Sequence, residues 1–201
     1  MHVWLRRIHW PSAAMGVLLG SAGWWAGRES LYIDWHSIAS PIAEESLVIR
    51  KDAKGDGRFG APRSGNRRHR GIDVVAPLGS PVLAVRSGVV IATGAHRGLG
   101  RYVELEHRDK LCSLYAHLDR IAVDVGERIR QGQAIGTVGK TGNASHPLIQ
   151  PHLHLEISKA GQTLDPSALG LALTEPVSSE PDTDAGRHAD TDRDADSNRG
   201  G

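Results

Sequence analysis

The sequence predicts an all-β domain, built as an antiparallel, barrel-like sheet with short loops. Three observations lead there. Short apolar, β-rich runs recur through residues 46–169; Gly- and Pro-containing turns separate them; and no long segment in that stretch holds a helical period. A chain of 201 residues has room for one such domain plus tails. A domain of this size buries an ordinary core without disulfides or a structural metal.

The runs follow in order. Residues 72–75 read Ile-Asp-Val-Val, and Pro77-Leu-Gly then marks a turn. Residues 81–85 and 88–92 are both rich in Val. Arg97-Gly-Leu-Gly separates them from 102–107, where Tyr-Val-Glu-Leu-Glu-His leads to 111–117. Asp119-Arg120 is expected to turn the chain before 121–123. Residues 134–138 end at Gly139-Lys-Thr-Gly-Asn, and 152–158 close the series as His-Leu-His-Leu-Glu-Ile-Ser.

The flanks differ from this middle. All five Trp lie at or before Trp35, and past Arg50 the only aromatics are Phe59, Tyr102 and Tyr115. Residues 1–26 combine Arg6-Arg7 with an uncharged run from Pro11 to Ala26. That run is shorter than the roughly 20 residues a spanning helix wants. An N-terminal apolar helix is expected, either a signal peptide cleaved near Gly20-Ser21-Ala22 or a membrane anchor with Trp24-Trp25 at the interface. Arg6-Arg7 is only a weak match to a twin-arginine export signal, and no Cys follows the apolar run to take a lipid. Residues 27–45 read as a connector. Residues 170–201 read as a disordered acidic tail, with eight acidic residues against three arginines after Thr174.

A net charge of +1 sets up no strong field that favours nucleic acid or an acidic substrate. Cys112 is the single cysteine, so no internal disulfide forms and the redox compartment stays open. Its ordinary role is that of a small buried hydrophobe.

Among eleven histidines, four stand in patterns that carry chemistry. His69 and Asp73 are spaced i, i+4 across His-Arg-Gly-Ile-Asp, where Gly71 is expected to allow a sharp backbone path. His152 and His154 are spaced i, i+2, which on a strand puts both on one face, with Leu153 and Leu155 on the other. Two imidazoles above an apolar layer make sense if a cation binds at one of them. His117 sits at a strand end in Leu-Tyr-Ala-His-Leu. A catalytic zinc takes three protein ligands and leaves a position open for water, and two His with one carboxylate meet that count. Hydrolysis further needs a proton acceptor and a donor to the developing oxyanion, and the other two histidines are of the right type. No His-Glu-x-x-His helix motif is present.

Across residues 56–166 the chain resembles the lysostaphin/LytM-type family of zinc metallopeptidases, which cut peptide bonds in bacterial peptidoglycan. The likeness runs through Arg58-Phe-Gly, His69-Arg-Gly-Ile-Asp73, Ala76-Pro-Leu-Gly-Ser-Pro-Val, Gly88-Val-Val, Leu114-Tyr-Ala-His117-Leu, Val125-Gly-Glu, Gln131-Gly-Gln-Ala-Ile-Gly, Gly139-Lys-Thr-Gly and Pro151-His-Leu-His154-Leu-Glu. It implies one Zn2+ held by His69, Asp73 and His154. It implies His152 as general base and His117 as orienter or oxyanion donor, two roles the sequence leaves exchangeable. Glu156, one step further along the strand, is a candidate partner for a ligand. The implied partners are peptidoglycan peptide stems in the cell envelope or periplasm, with membrane contact through residues 1–26 and no nucleic acid.

Two departures from the family pattern are the longer segment Asn143–Gln150, expected to line the groove with His146 read as a solvated loop residue rather than a member of the site, and Arg101 where Asn is frequent. An alternative is a non-catalytic relative that activates a cell-wall amidase; the five intact positions speak against it. A biotinyl- or lipoyl-type carrier is the other, suggested by residues 125–136, but Lys140 after Gly139 is in the wrong setting for a modified lysine.

Overall fold

A computed structural model describes Asp34, residues 37–44 and residues 46–176 of the chain. β1 (Leu47–Val48) is followed by a ribbon of β2 (Lys51–Asp52) and β3 (Gly55–Asp56), then a second of β4 (Pro62–Arg63) and β5 (Arg67–Arg68). The nine-stranded main sheet comes next. Its strands are β6 (Ile72–Val75), β7 (Pro81–Leu83), β8 (Gly88–His96), β9 (Gly100–His107), β10 (Leu111–Ile121), β11 (Arg128–Ile129), β12 (Ala134–Val138), β13 (His152–Lys159) and β14 (Gln162–Leu164). β15 (Leu173–Thr174) runs parallel to β1, whereas every ladder of the main sheet is antiparallel. Three single turns of 3-10 helix complete the described residues, which contain no α-helix. The all-β expectation holds. The barrel-like one gives way to an open sheet: the path β11-β8-β9-β10-β12-β7 has two ends, and β13, β6 and β14 branch from it.

The branch comes from one strand changing partners. Residues 111–116 of β10 pair with β13, whereas from Leu118 onward β10 pairs with β12. His117 lies at the changeover, in left-handed backbone at φ 63°, and its N–H donates to the Leu99 carbonyl at 2.8 Å. The register against β9 also shifts between Tyr115 and Leu118. The turn expected at Asp119-Arg120 is therefore a bulge within one long strand that runs on to Ile121.

Alternation along β13 explains which face is buried. Leu153, Leu155 and Ile157 are fully buried in the core with Ile72, Val74, Val103, Leu105 and Tyr115. Each such side chain contributes about 1.5–3 kcal/mol of burial. His152, His154 and Glu156 take the opposite face. Residues 37–44, expected as connector, add Ile38 and Ile42 to the core, and Ile42 bridges to Val82. At the other end Leu171 is buried and residues 173–174 pair, so ordered structure passes the expected tail boundary. The expected N-terminal apolar helix and most of the acidic tail lie outside the described residues. Among the described residues no helix is long and apolar enough to cross a membrane.

A buried polar chain pins β10 to its surroundings. The Tyr115 hydroxyl accepts from the Val85 N–H at 2.8 Å and bonds to Ser113 Oγ at 3.0 Å. Ser113 meets His107 Nε2 at 2.7 Å, and His107 Nδ1–H donates to the Ser87 carbonyl at 3.0 Å. Burial lowers the His107 pKa and lifts that of Tyr115 to about 12, so both stay neutral and every donor has an acceptor. Tyr115→Phe would leave the buried Val85 N–H without its acceptor. The expected loss is about 1–3 kcal/mol of stability, read as a lower urea midpoint with unchanged slope.

Candidate metal centre

The antiparallel ladder of β6 and β13 places Asp73 directly opposite His154, and Ala116 of β10 flanks His154 on the other side. His69 sits in the turn before β6, where its N–H donates to the Ala61 carbonyl at 2.9 Å. Gly71 serves close approach rather than a sharp turn: a Cβ there would lie 2.2 Å from the Leu155 carbonyl oxygen. With β6 drawn against β13, three donor atoms meet. His154 Nδ1 lies 2.8 Å from Asp73 Oδ1, His69 Nε2 lies 3.2 Å from the same oxygen, and the two imidazole nitrogens are 3.1 Å apart. All three side chains are buried.

This triangle fits zinc. Ligand bonds of about 2.0–2.1 Å in a tetrahedron separate neighbouring ligand atoms by roughly 3.3 Å, close to the three edges seen. The donors are also the right kind, two imidazoles and a carboxylate. Each ligand's other polar atom is engaged elsewhere, which leaves one atom pointing inward. His69 Nδ1–H donates to the Arg58 carbonyl at 2.8 Å. His154 Nε2–H donates to Glu156 Oε1 at 3.1 Å. Asp73 Oδ2 accepts from Arg50 Nη2 at 2.9 Å and lies 3.5 Å from Arg63 Nη2.

The charges agree with this division. Burial opposes charge on Asp73, but contacts with His154 and His69 hold its carboxyl well below the usual range. Burial likewise opposes charge on His154, and its bonds to Asp73 and Glu156 win, raising its pKa to about 9. A proton held on His154 Nδ1 is directed at Asp73 Oδ1.

His117 and His152 stand beside the triangle. Their ring centroids are 5.0 Å apart, and that of His117 is 5.8 Å from His154. His117 Nδ1–H donates to the Thr141 carbonyl at 2.9 Å, and His152 Nδ1–H to the Gln150 carbonyl at 2.6 Å. In both rings Nε2 is left as the free acceptor, and that of His152 lies 3.9 Å from Asp73 Oδ1. Burial, then the neighbouring His152 and His154, push the His117 pKa down to about 3; burial lowers that of His152 as well. Both are neutral at pH 7.

All five residues named from the sequence thus come together in one cleft of about 1070 Å³. Asn143, Ala144 and Ile149 of the longer loop line it, whereas His146 is exposed and outside the lining. Arg101 donates to the Asp119 carbonyl, away from the ligands. Cys112, expected as a buried hydrophobe, is half-buried and lines the cleft; partial burial with the charges of Glu104 and Glu106 raises its pKa. Sequence reasoning missed Arg50. It lies in no motif, and only long-range pairing brings it in, with the Ile49–Val74 bridge and Arg50 N–H on the Asp73 carbonyl.

Residues 67–166 match Peptidase family M23. The chain is 40% identical over 105 residues to the peptidoglycan DD-endopeptidase ShyC of Vibrio cholerae, covering 52% of this chain and 23% of that relative. It spans only about a quarter to two fifths of the length of the curated relatives it matches. Among solved structures, the catalytic domain of the prophage-encoded M23 protein EnpA from Enterococcus faecalis superposes with TM-score 0.53 at 29% identity, covering 66% of this chain and 98% of that one. A zinc-containing peptidase from Vibrio cholerae superposes with TM-score 0.50 at 30% identity, covering 66% of this chain and 41% of that one.

Two outcomes follow for metal binding. Removing the cation behind the ligand carboxylate, as in Arg50→Met, should weaken zinc about 10- to 100-fold in chelator competition. Below pH 9 zinc must also displace the His154 proton, so apparent affinity should rise with pH, by up to about tenfold per unit. A pH-independent affinity between pH 6 and 8 would contradict that competition.

Proposed function

Residues 67–166 form a peptidase family M23 domain, and from that premise we propose that the chain is a zinc metalloendopeptidase that hydrolyses peptide cross-links of bacterial peptidoglycan. The observation that carries the proposal is the triangle of His69, Asp73 and His154 with two neutral imidazoles beside it. When bound, zinc would make water nucleophilic near neutral pH and polarise the scissile carbonyl.

The remaining work falls to this chain's own groups. His69, Asp73 and His154 hold the ion, and Arg50 fixes the direction of the Asp73 carboxylate. His152 Nε2, the free nitrogen beside the donor triangle, takes the proton of the attacking water. His117 Nε2 orients that water by accepting its second hydrogen bond. Both Nδ1–H groups are committed to carbonyls, so neither ring begins as a donor into the cleft. The ring that takes the proton becomes the donor, first to the tetrahedral oxyanion and then to the leaving amine. The low pKa of His117 keeps it an acceptor throughout the physiological range. The peptidoglycan-directed relatives support the cell envelope as the place of action.

His69→Ala and His154→Ala should each abolish zinc binding and hydrolysis. His152→Ala should keep zinc and lose turnover by about 10²- to 10⁴-fold. The deciding measurement is digestion of purified peptidoglycan by the full chain, with product masses recorded with and without a chelator. Stoichiometric zinc with an unchanged digest would overturn the proposal, and the masses of a successful digest name the bond cut.

A further inference from the structure

The cleft is electrostatically polarised across its width. The strand order from one side to the other is β6, β13, β10, β9. On the β9 side Glu104 lies opposite Leu114, which in turn lies opposite Glu156. Beyond β6 stand the two ribbons; from them Lys54, Arg63, Arg67 and Arg68 line the cleft, and Arg70 lines it from the link between β5 and β6.

These cations divide by what they touch. Arg63 lies 3.5 Å from Asp73, and Arg70 lies 3.6 Å from Glu156, so both have carboxylate partners. Arg67 Nε donates to the Ser64 carbonyl and Arg68 Nη1 to the Gly60 carbonyl, each at 3.1 Å. Backbone oxygens therefore steady these guanidiniums without neutralising them. Among the described residues, neither arginine nor Lys54 forms a salt bridge to a carboxylate. Three uncompensated cations thus face a cleft whose other side carries an uncompensated Glu104.

Taking the peptidase reading as its basis, we propose that Lys54, Arg67 and Arg68 form a subsite for a free carboxylate of the substrate beside the scissile bond. The domain then selects cross-links between acidic stems over neutral, glycine-type bridges. A carboxylate gains charge-assisted hydrogen bonds on the ribbon side and is repelled from the Glu104 side, so the subsite also fixes which way the peptide lies. Arg67 and Arg68 supply planar forks with donors to spare, which suits a carboxylate better than a point charge does.

The test uses the full zinc-loaded chain and two cross-linked stem-peptide dimers joined through diaminopimelate. One has its diaminopimelate carboxylates free and the other has them amidated. The double variant Arg67→Gln/Arg68→Gln should raise KM for the free dimer about five- to tenfold, with kcat and the amidated dimer changed less than about twofold. Both side chains are exposed, so its thermal unfolding should match the parent's. Calorimetric titration of both dimers into His152→Ala reads the same preference without turnover. Equal affinity for the two dimers there overturns the subsite, whatever the hydrolysis result. A clear preference with no hydrolysis of either dimer keeps the subsite and sinks the peptidase reading alone. A third arm offers anionic phosphatidylglycerol vesicles. If the double variant loses vesicle binding while the two dimers bind equally, the cluster faces lipid and the carboxylate assignment is wrong.

Discussion

The ladder between β6 and β13 brings Asp73 and His154 within 2.8 Å, and the geometry of the centre descends from that contact. Asp73 uses its two oxygens differently. One points to the histidines, and the other is taken by Arg50, with Arg63 close by. Such a contact in a buried place would be costly if either partner were left without its neighbours. Here each charge is answered: Arg50 also meets Asp52 at 2.6 Å, and His154 is backed by Glu156. The short chain of residues 49–57 packed along β6 exists in part to deliver that arginine. Asp73 N–H donates to the Gly57 carbonyl and Gly57 N–H to the Arg50 carbonyl, each at 2.8 Å.

The same economy governs the histidines. Four imidazoles crowd the centre, and each has one nitrogen assigned to an acceptor beside it. Tautomer and ring direction are thereby set by carbonyls of Arg58, Thr141 and Gln150 and by one carboxylate. Because three of these acceptors are backbone groups, the loops that carry them help set the ring positions even where their side chains do not.

The sheet and the five central residues were legible because their signals are local. The alternation of β13 separates His152 and His154 from Leu153 and Leu155 by period alone, and β-branched runs mark β6 and β12. What was not legible depends on contacts between distant segments. The bulge at His117 was read as a turn after it, since Asp119-Arg120 resembles one locally while the true cause is a change of pairing partner. Arg50 and the core residues Ile38 and Ile42 fell in a stretch with no period, and only their long-range partners give them meaning. The role of Gly71 was assigned to conformational freedom, whereas the structure shows clearance for a neighbouring strand. A glycine in a sequence announces that something special happens, without saying which of the two it is.

His117 also exposes a conflict between folding and chemistry. At φ 63° its backbone is one that a residue with a side chain adopts at a cost of about 1–2 kcal/mol, and glycine would adopt freely. The position is therefore one where mutation could readily make the domain more stable, and every such gain would remove an imidazole from the cleft. Selection for stability alone would drift toward Gly or Asn here; His at this changeover forgoes that gain and keeps an imidazole lining the cleft.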